Sequence, residues 1–291
     1  MDLPKMFVLT GAAAGLLLAC AGDPAPAERA APTDPAARAR EAAQRFDAAR
    51  AFGYLKHQVA FGPRVPGTEA HRKTGDWLRD TVAAQGGEVS EFAFQHTDVS
   101  GRTWPLRNIL ARFGPSGGER MLLVAHWDTR PWADRDRAEV RNQPIPGAND
   151  GASGVAVLLE LAHHLSTAEL DRGVDLLFAD GEDLGDADSG EGYCAGTRRF
   201  VADGHAGSYR AVLVLDMVAD VDQRFPVEGY SLAHAPGLVD RVWSRAALLG
   251  IREFVREPGP VVYDDHVPFL EAGIPAVDII DFDYPAWHTL Q

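Results

Sequence analysis

Two cysteines in 291 residues leave little material for thiolate chemistry. Cys20 and Cys194 have no second Cys or His at zinc-finger spacing, which excludes that class of structural metal site. Cys194 reads as a small, partly buried packing residue. Positive charge is also scarce: 28 Lys and Arg stand against 42 Asp and Glu, a formal net charge of -14. This excludes nucleic acid as a partner, because phosphate binding needs clustered Lys and Arg. There is no internal repeat, and Gly and Pro are too few for a fibrous or disordered body. What is present is 46% hydrophobic composition, enough for one large globular domain or two small ones.

At the N-terminus, Lys5 is the only positive charge before an apolar run from Met6 to Ala19. The run is too short to span a bilayer and ends in small residues, as the core of an export signal does. Leu17-Leu18-Ala19-Cys20 resembles a bacterial lipobox, with Cys20 as the lipidated first residue of the mature chain. A plain cleaved signal and an uncleaved anchor are the competing readings. Ala21 and Gly22 lack the acidic residue expected of inner-membrane retention. The expectation is therefore an exported outer-membrane lipoprotein, facing the periplasm or the cell surface. Residues 21–38, rich in Pro and Ala, read as a tether. The catalytic domain is expected over residues 39–291.

Within that domain the pattern predicts helices over 39–60, 68–85, 153–165, 197–202, 237–249 and 267–272. Strands are predicted over 88–96, 106–113, 121–125, 174–179, 211–215 and 274–280. Apolar strands alternating with helices indicate an α/β fold, a three-layer sandwich around a mostly parallel central sheet. Five polar segments stand out: His126-Trp127-Asp128, Gly147-Ala148-Asn149-Asp150-Gly151, Asp180-Gly181-Glu182-Asp183, Asp264-Asp265-His266 and Trp287-His288. Most of them follow strands, where open α/β sheets bind ligands, and together they supply the His and carboxylate set that zinc prefers.

In order and spacing these segments resemble the zinc aminopeptidases and the related glutaminyl-peptide cyclotransferases. Val124 to Trp132 and Gly147 to Gly154 are closest to the bacterial cyclases of animal type. The resemblance implies a zinc-exopeptidase-like fold and zinc bound by Asp150, Asp183 and His288, with one ion expected per chain. Asp183 stands where Glu is more frequent. The resemblance also implies a cis peptide at Asp150-Gly151, Glu182 as general acid/base, and Trp287 as a wall of the substrate pocket. His126 and Asp216 match residues that hold a second zinc in the aminopeptidases, with Asp128 orienting His126. Asp216 and Asp264 would join Glu182 in a hydrogen-bonded carboxylate network. His266 is expected in the site wall, and His57, His71, His96, His163, His164, His205 and His234 on the surface or in packing. The sequence ends three residues past His288, short of the loop and helix with which the family usually closes.

The reaction so implied is cyclisation of N-terminal Gln on peptides or proteins to pyroglutamate, with release of ammonia. The alternatives are a zinc aminopeptidase on the same scaffold and a non-catalytic surface-binding lipoprotein. Membrane attachment would run through lipid on Cys20. The sequence carries no signal for an oligomeric state.

Overall fold

The computed structural model describes residues 45–187 and 189–291. The signal, the lipobox Cys20, the tether and the start of the first predicted helix lie outside the described residues. Two helices come first, α1 (Ala48–Ala60) and α2 (Glu69–Ala84), followed by β1 (Glu88–Thr97), β2 (Thr103–Phe113) and β3 (Arg120–His126). Then come α3 (Ala152–Leu165), β4 (Gly173–Ala179), α4 (Ala195–Ala202) and β5 (Tyr209–Asp216). The chain closes through β6 (Phe225–Val227), α5 (Gly229–His234), α6 (Pro236–Leu249), β7 (Phe254–Pro258), α7 (Val267–Glu271) and β8 (Ala276–Ile280).

The main sheet has the order β1-β2-β4-β3-β5-β8. Its β4-β3-β5-β8 section is parallel, while β2 pairs antiparallel with both β1 and β4. The sequence explains this arrangement. All seven residues of β3 and of β4 are buried, as strands covered on both faces require. Edge strand β1 instead alternates between exposed and half-buried residues. Along β3, Met121, Leu123 and Ala125 face one core, which holds Leu55 of α1, Leu78 of α2, Leu158 of α3 and Trp243 of α6. Leu122 and Val124 face the other, with Phe200 of α4 and Phe269 of α7. Side chains of a strand alternate between faces, so one strand feeds both cores and three layers result.

The first predicted helix is interrupted at Phe46 and Asp47, with Arg45 helical before them, so α1 begins at Ala48. Asp47 caps it by accepting the Arg50 N–H at 3.0 Å, and an N-cap carboxylate ends a helix on its N-terminal side. Thr68 caps α2 in the same way through the His71 N–H. The chain leaves β3 for β4 on one side and later returns as β5 on the other. That reversal opens a crevice at the carboxyl end of β3, where such sheets place their ligands.

Candidate active site and metal centre

The crevice gathers side chains from six segments. His126 ends β3, Asp216 ends β5, and Glu182 and Asp183 lie in the short 3-10 turn after β4. Asp150 comes from the loop before α3, Asp264 from the turn before α7, and His288 from the segment after β8. All of these are buried, Glu182 and Asp216 being the least so at 8% exposure.

Two glycines let the Asp150 loop enter. Gly147 has φ +61, and a Cβ there would lie 2.2 Å from Thr129 Cγ2 and 2.6 Å from the Asp150 carbonyl oxygen. A Cβ on Gly151 would lie 2.5 Å from the His126 carbonyl oxygen. Only glycine tolerates such approaches. The loop is held from outside by Arg64, a fully buried guanidinium. It donates to the carbonyls of Trp127 (3.2 Å), Pro146 (2.8 Å) and Gly147 (2.6 Å). The expected cis bond is absent: no peptide among the described residues is cis. Gly151 instead takes helical angles, φ -61 and ψ -14, and leads directly into α3. The trans form avoids a cost of about 3–4 kcal/mol.

Ligand atoms of Asp150, Asp183 and His288 lie within 4.8 Å of one another, and so do those of His126, Asp150 and Asp216. Asp150 belongs to both groups. Its Oδ1 is 3.1 Å from His126 Nε2, and its Oδ2 is 3.8 Å from His288 Nε2. Asp183 Oδ1 lies 3.4 Å from His288 Nε2, while Asp183 Oδ2 is buried with no hydrogen-bond partner. Two carboxylates and one imidazole, with an orphaned carboxylate oxygen between them, fit a divalent zinc ion. Asp183, despite its short side chain, thus lies close enough to Asp150 and His288 to share an ion with them.

Further residues contact these candidate ligands from behind. Asp128 Oδ1 lies 3.4 Å from His126 Nδ1, and its two oxygens accept the backbone N–H groups of Glu182 (3.2 Å) and Asp183 (3.3 Å). Asp134 Oδ1 is 3.0 Å from His288 Nδ1, and Arg130 joins Asp134 (2.7 Å) to Asp183 Oδ1 (3.1 Å). Neither Arg130 nor Asp134 is marked by the sequence motifs. Arg130 lies inside the Val124 to Trp132 stretch and Asp134 two residues past its end, and that proximity is the signal that could have found them. His71 also has more than a packing role. It stacks on Trp127 with ring centroids 4.2 Å apart, and its Nε2 lies 2.9 and 3.0 Å from the oxygens of Asp180.

Burial and charge push these groups from their ordinary ranges. Desolvation raises the Glu182 carboxyl well above the usual carboxylate range, with Asp183, Asp264 and Asp265 adding to it against the opposing pull of His126. Asp216 is raised by burial to about 7, with His126 pulling down and Asp264 and Asp150 pushing up. Burial depresses the His288 ring, but Asp183 and Asp134 outweigh it and bring it to about 9. His126 is likewise depressed by burial and lifted well above its usual value by Asp128, Asp150 and Asp216. Such displaced values gather where proton transfer and metal binding occur.

Asp264 and Glu182 share a third group of mutually close side chains with Cys194. Cys194 is completely buried, and burial drives its thiol well above the usual range. Trp287 is half-buried, its ring centroid 3.9 Å from that of His288 and the Arg135 guanidinium 5.0 Å over its face. His266 is fully buried, with Nε2 2.9 Å from Glu228 Oε2, and it shares a group of mutually close side chains with Asp264 and Asp278.

Residues 108–291 match the model of peptidase family M28. The glutaminyl-peptide cyclotransferase of Gloydius blomhoffii is 25% identical over 264 residues, covering 79% of this chain and 70% of that protein. The crystal structure of Porphyromonas gingivalis glutaminyl cyclase superposes with a TM-score of 0.81 at 40% identity, covering 84% of this chain and 90% of that one. A Zn-dependent exopeptidase from Parabacteroides distasonis superposes with a TM-score of 0.82 at 35% identity, over 84% and 90% of the two chains. With its crevice, its paired carboxylate–imidazole groups and these likenesses, the chain belongs to peptidase family M28 and shares the fold of bacterial glutaminyl cyclases and zinc exopeptidases.

Proposed function

We infer that the protein is a zinc-dependent glutaminyl-peptide cyclotransferase, an acyltransferase that converts N-terminal Gln of peptides to pyroglutamate and releases ammonia. The observation that carries this reading is Asp264, a buried carboxylate placed within 4.8 Å of Glu182 in one cluster. Carboxylates that close share a proton, because both cannot readily ionise together. The pair then acts as a proton store beside the reacting atoms, which suits a reaction whose nucleophile is the substrate's own amine.

Asp150, Asp183 and His288 would hold one zinc, which when bound polarises the side-chain amide carbonyl and stabilises the charge that develops on its oxygen. Glu182 takes a proton from the α-amine as the new N–C bond forms. It returns that proton to the amide nitrogen as the old C–N bond breaks and ammonia leaves. Its displaced titration suits both halves of this exchange. Trp287 and Phe282, 4.9 Å apart between ring centroids, wall the glutamine side chain and exclude water from it.

One observation favours a second reading. His126, Asp150 and Asp216 form a group able to take a second cation, as a two-metal aminopeptidase with an attacking water would require. Mass spectrometry of Gln-initiated and Leu-initiated peptides after incubation separates the two. Loss of one ammonia from the Gln peptides, with the Leu peptides intact, supports the cyclase. Rapid release of N-terminal Leu overturns it.

We further propose that the mature chain is tethered through lipid on Cys20 to the outer membrane of its cell, where peptide N-termini would reach it.

A further inference from the structure

We propose that Glu182, Cys194 and Asp264 form a separate inhibitory site for a thiophilic divalent cation, such as cadmium or zinc in excess of the resident ion. Ligand atoms of the three residues all lie within 4.8 Å of one another, and Cys194 Sγ is 3.5 Å from Glu182 Oε1. They are 8%, 0% and 3% exposed, respectively. Asp264 Oδ2 is buried and has no hydrogen-bond partner. An unpartnered carboxylate oxygen in such a setting calls for a proton, a water or an ion.

The backbone fixes the arrangement. Cys194 is one of three non-glycine residues at positive φ among the described residues, at +59. Its N–H donates to the Glu182 carbonyl at 2.9 Å, and the Ala195 N–H donates to that of Gly181 at 3.0 Å. The Cys194 backbone is therefore held against the Glu182 turn. Residues kept in this sparsely populated region persist where the surroundings enforce them.

The donor set decides which ions enter. Asp150, Asp183 and His288 offer oxygen and nitrogen only, whereas this group adds sulfur, and sulfur selects softer cations. Entry replaces one bond by another without change of oxidation state. The S–H bond breaks, its proton leaves to solvent, and a sulfur–metal bond forms. Glu182 becomes a ligand and can no longer accept a proton from the amine. A bound peptide occupies the same carboxylate, so inhibition is competitive with substrate. The cation site stands on geometry alone; its inhibitory effect rests on the role of Glu182 proposed above.

The test titrates the zinc-loaded full chain with cadmium and follows sulfur-to-metal charge-transfer absorption in the ultraviolet. Exchange at the zinc site contributes no such band, since that site has no sulfur. The wild type should develop the band with one cadmium per chain, Cys20→Ser should retain it, and Cys194→Ser should lose it. Cys194→Ala serves as a second variant should the serine protein fold poorly. In parallel, cadmium should lower kcat/KM for a Gln peptide by at least about tenfold, the scale of a blocked general base. A chelator should restore it, and in the Cys194 variants the rate with cadmium should equal each variant's own rate without it. Absence of the band from the wild type, or an equal band in Cys194→Ser, overturns the site. A band without inhibition upholds the site and removes Glu182 from the mechanism, and a protein inactive before cadmium is added removes the cyclase reading instead.

Discussion

His288 Nδ1 sits 3.0 Å from Asp134 Oδ1, so the imidazole presents its Nε2 toward Asp150 and Asp183. Arg130 also holds the Asp134 carboxylate; burial acts to raise that carboxyl, but His288 and Arg130 together keep it well below the usual carboxylate range. Asp134→Ala should therefore weaken zinc binding by about 10–100-fold while leaving all three ligands in place. Competition against a chelator of known affinity measures this, and unchanged affinity would detach Asp134 from the metal centre.

Glu182→Gln should keep the fold and the zinc content and lose about 10²–10⁴-fold in rate, because an amide cannot shuttle a proton. Steady-state cyclisation together with metal analysis checks both halves. A variant within a few-fold of the wild type would exclude Glu182 as the base.

Asp264→Ser should impair cyclisation and open the His126–Asp150–Asp216 group to a second zinc, since a carboxylate that adds to the effect of burial on Asp216 is removed. Metal stoichiometry before and after the substitution is the readout. Two tightly held zincs in the wild type would contradict the one-ion assignment.

Glu228 is a fully buried carboxylate at the centre of a hydrogen-bond cluster. It accepts from the backbone of Tyr230, Ser231 and Val262, from Ser231 Oγ, and pairs with His266. Burial acts to raise its carboxyl, but these partners bring it down to about 2 from a usual 4.5. A folded value below the unfolded one contributes stability that is present above the unfolded value and is lost as pH falls toward the folded one. Glu228→Gln should cost about 3–5 kcal/mol at neutral pH, the scale for breaking a buried pair. The gap in melting temperature between wild type and variant should narrow as pH drops from about 4.5 toward 2. A constant gap would show that the charge of Glu228 is not what stabilises.

The lipobox reading predicts that native protein partitions with membranes and that Cys20→Ser releases it. Cell fractionation decides the point, and lipid-free native protein beginning well after Cys20 would rule the anchor out.

The central strands could be read from the sequence because burial on both faces leaves unbroken apolar runs, as in Met121 to Ala125 and Leu176 to Ala179. The short elements β6, α5 and β7 could not, since three to six residues carry no usable period. Their placement depends on Glu228 capping α5 from within the core. The motif-bearing residues were legible as types at strand ends. Their supports were not: Asp134 meets His288 across 154 positions of chain, and His71 meets Asp180 across 109. Nothing local in a sequence encodes such a meeting.

The clamp formed by Arg64 has a wider meaning. The match to family M28 begins at residue 108, yet Arg64 pins the Asp150 loop, Gln58 Nε2 donates to the Ala152 carbonyl at 3.1 Å, and His71 holds Asp180. All three come from the chain before that point. The same stretch supplies β1, which covers the free edge of β2. The recognisable signature is thus narrower than the cooperative unit. Residues 108–291 alone would carry every ligand while exposing an unpaired strand edge, and would lack the groups that keep those ligands in register.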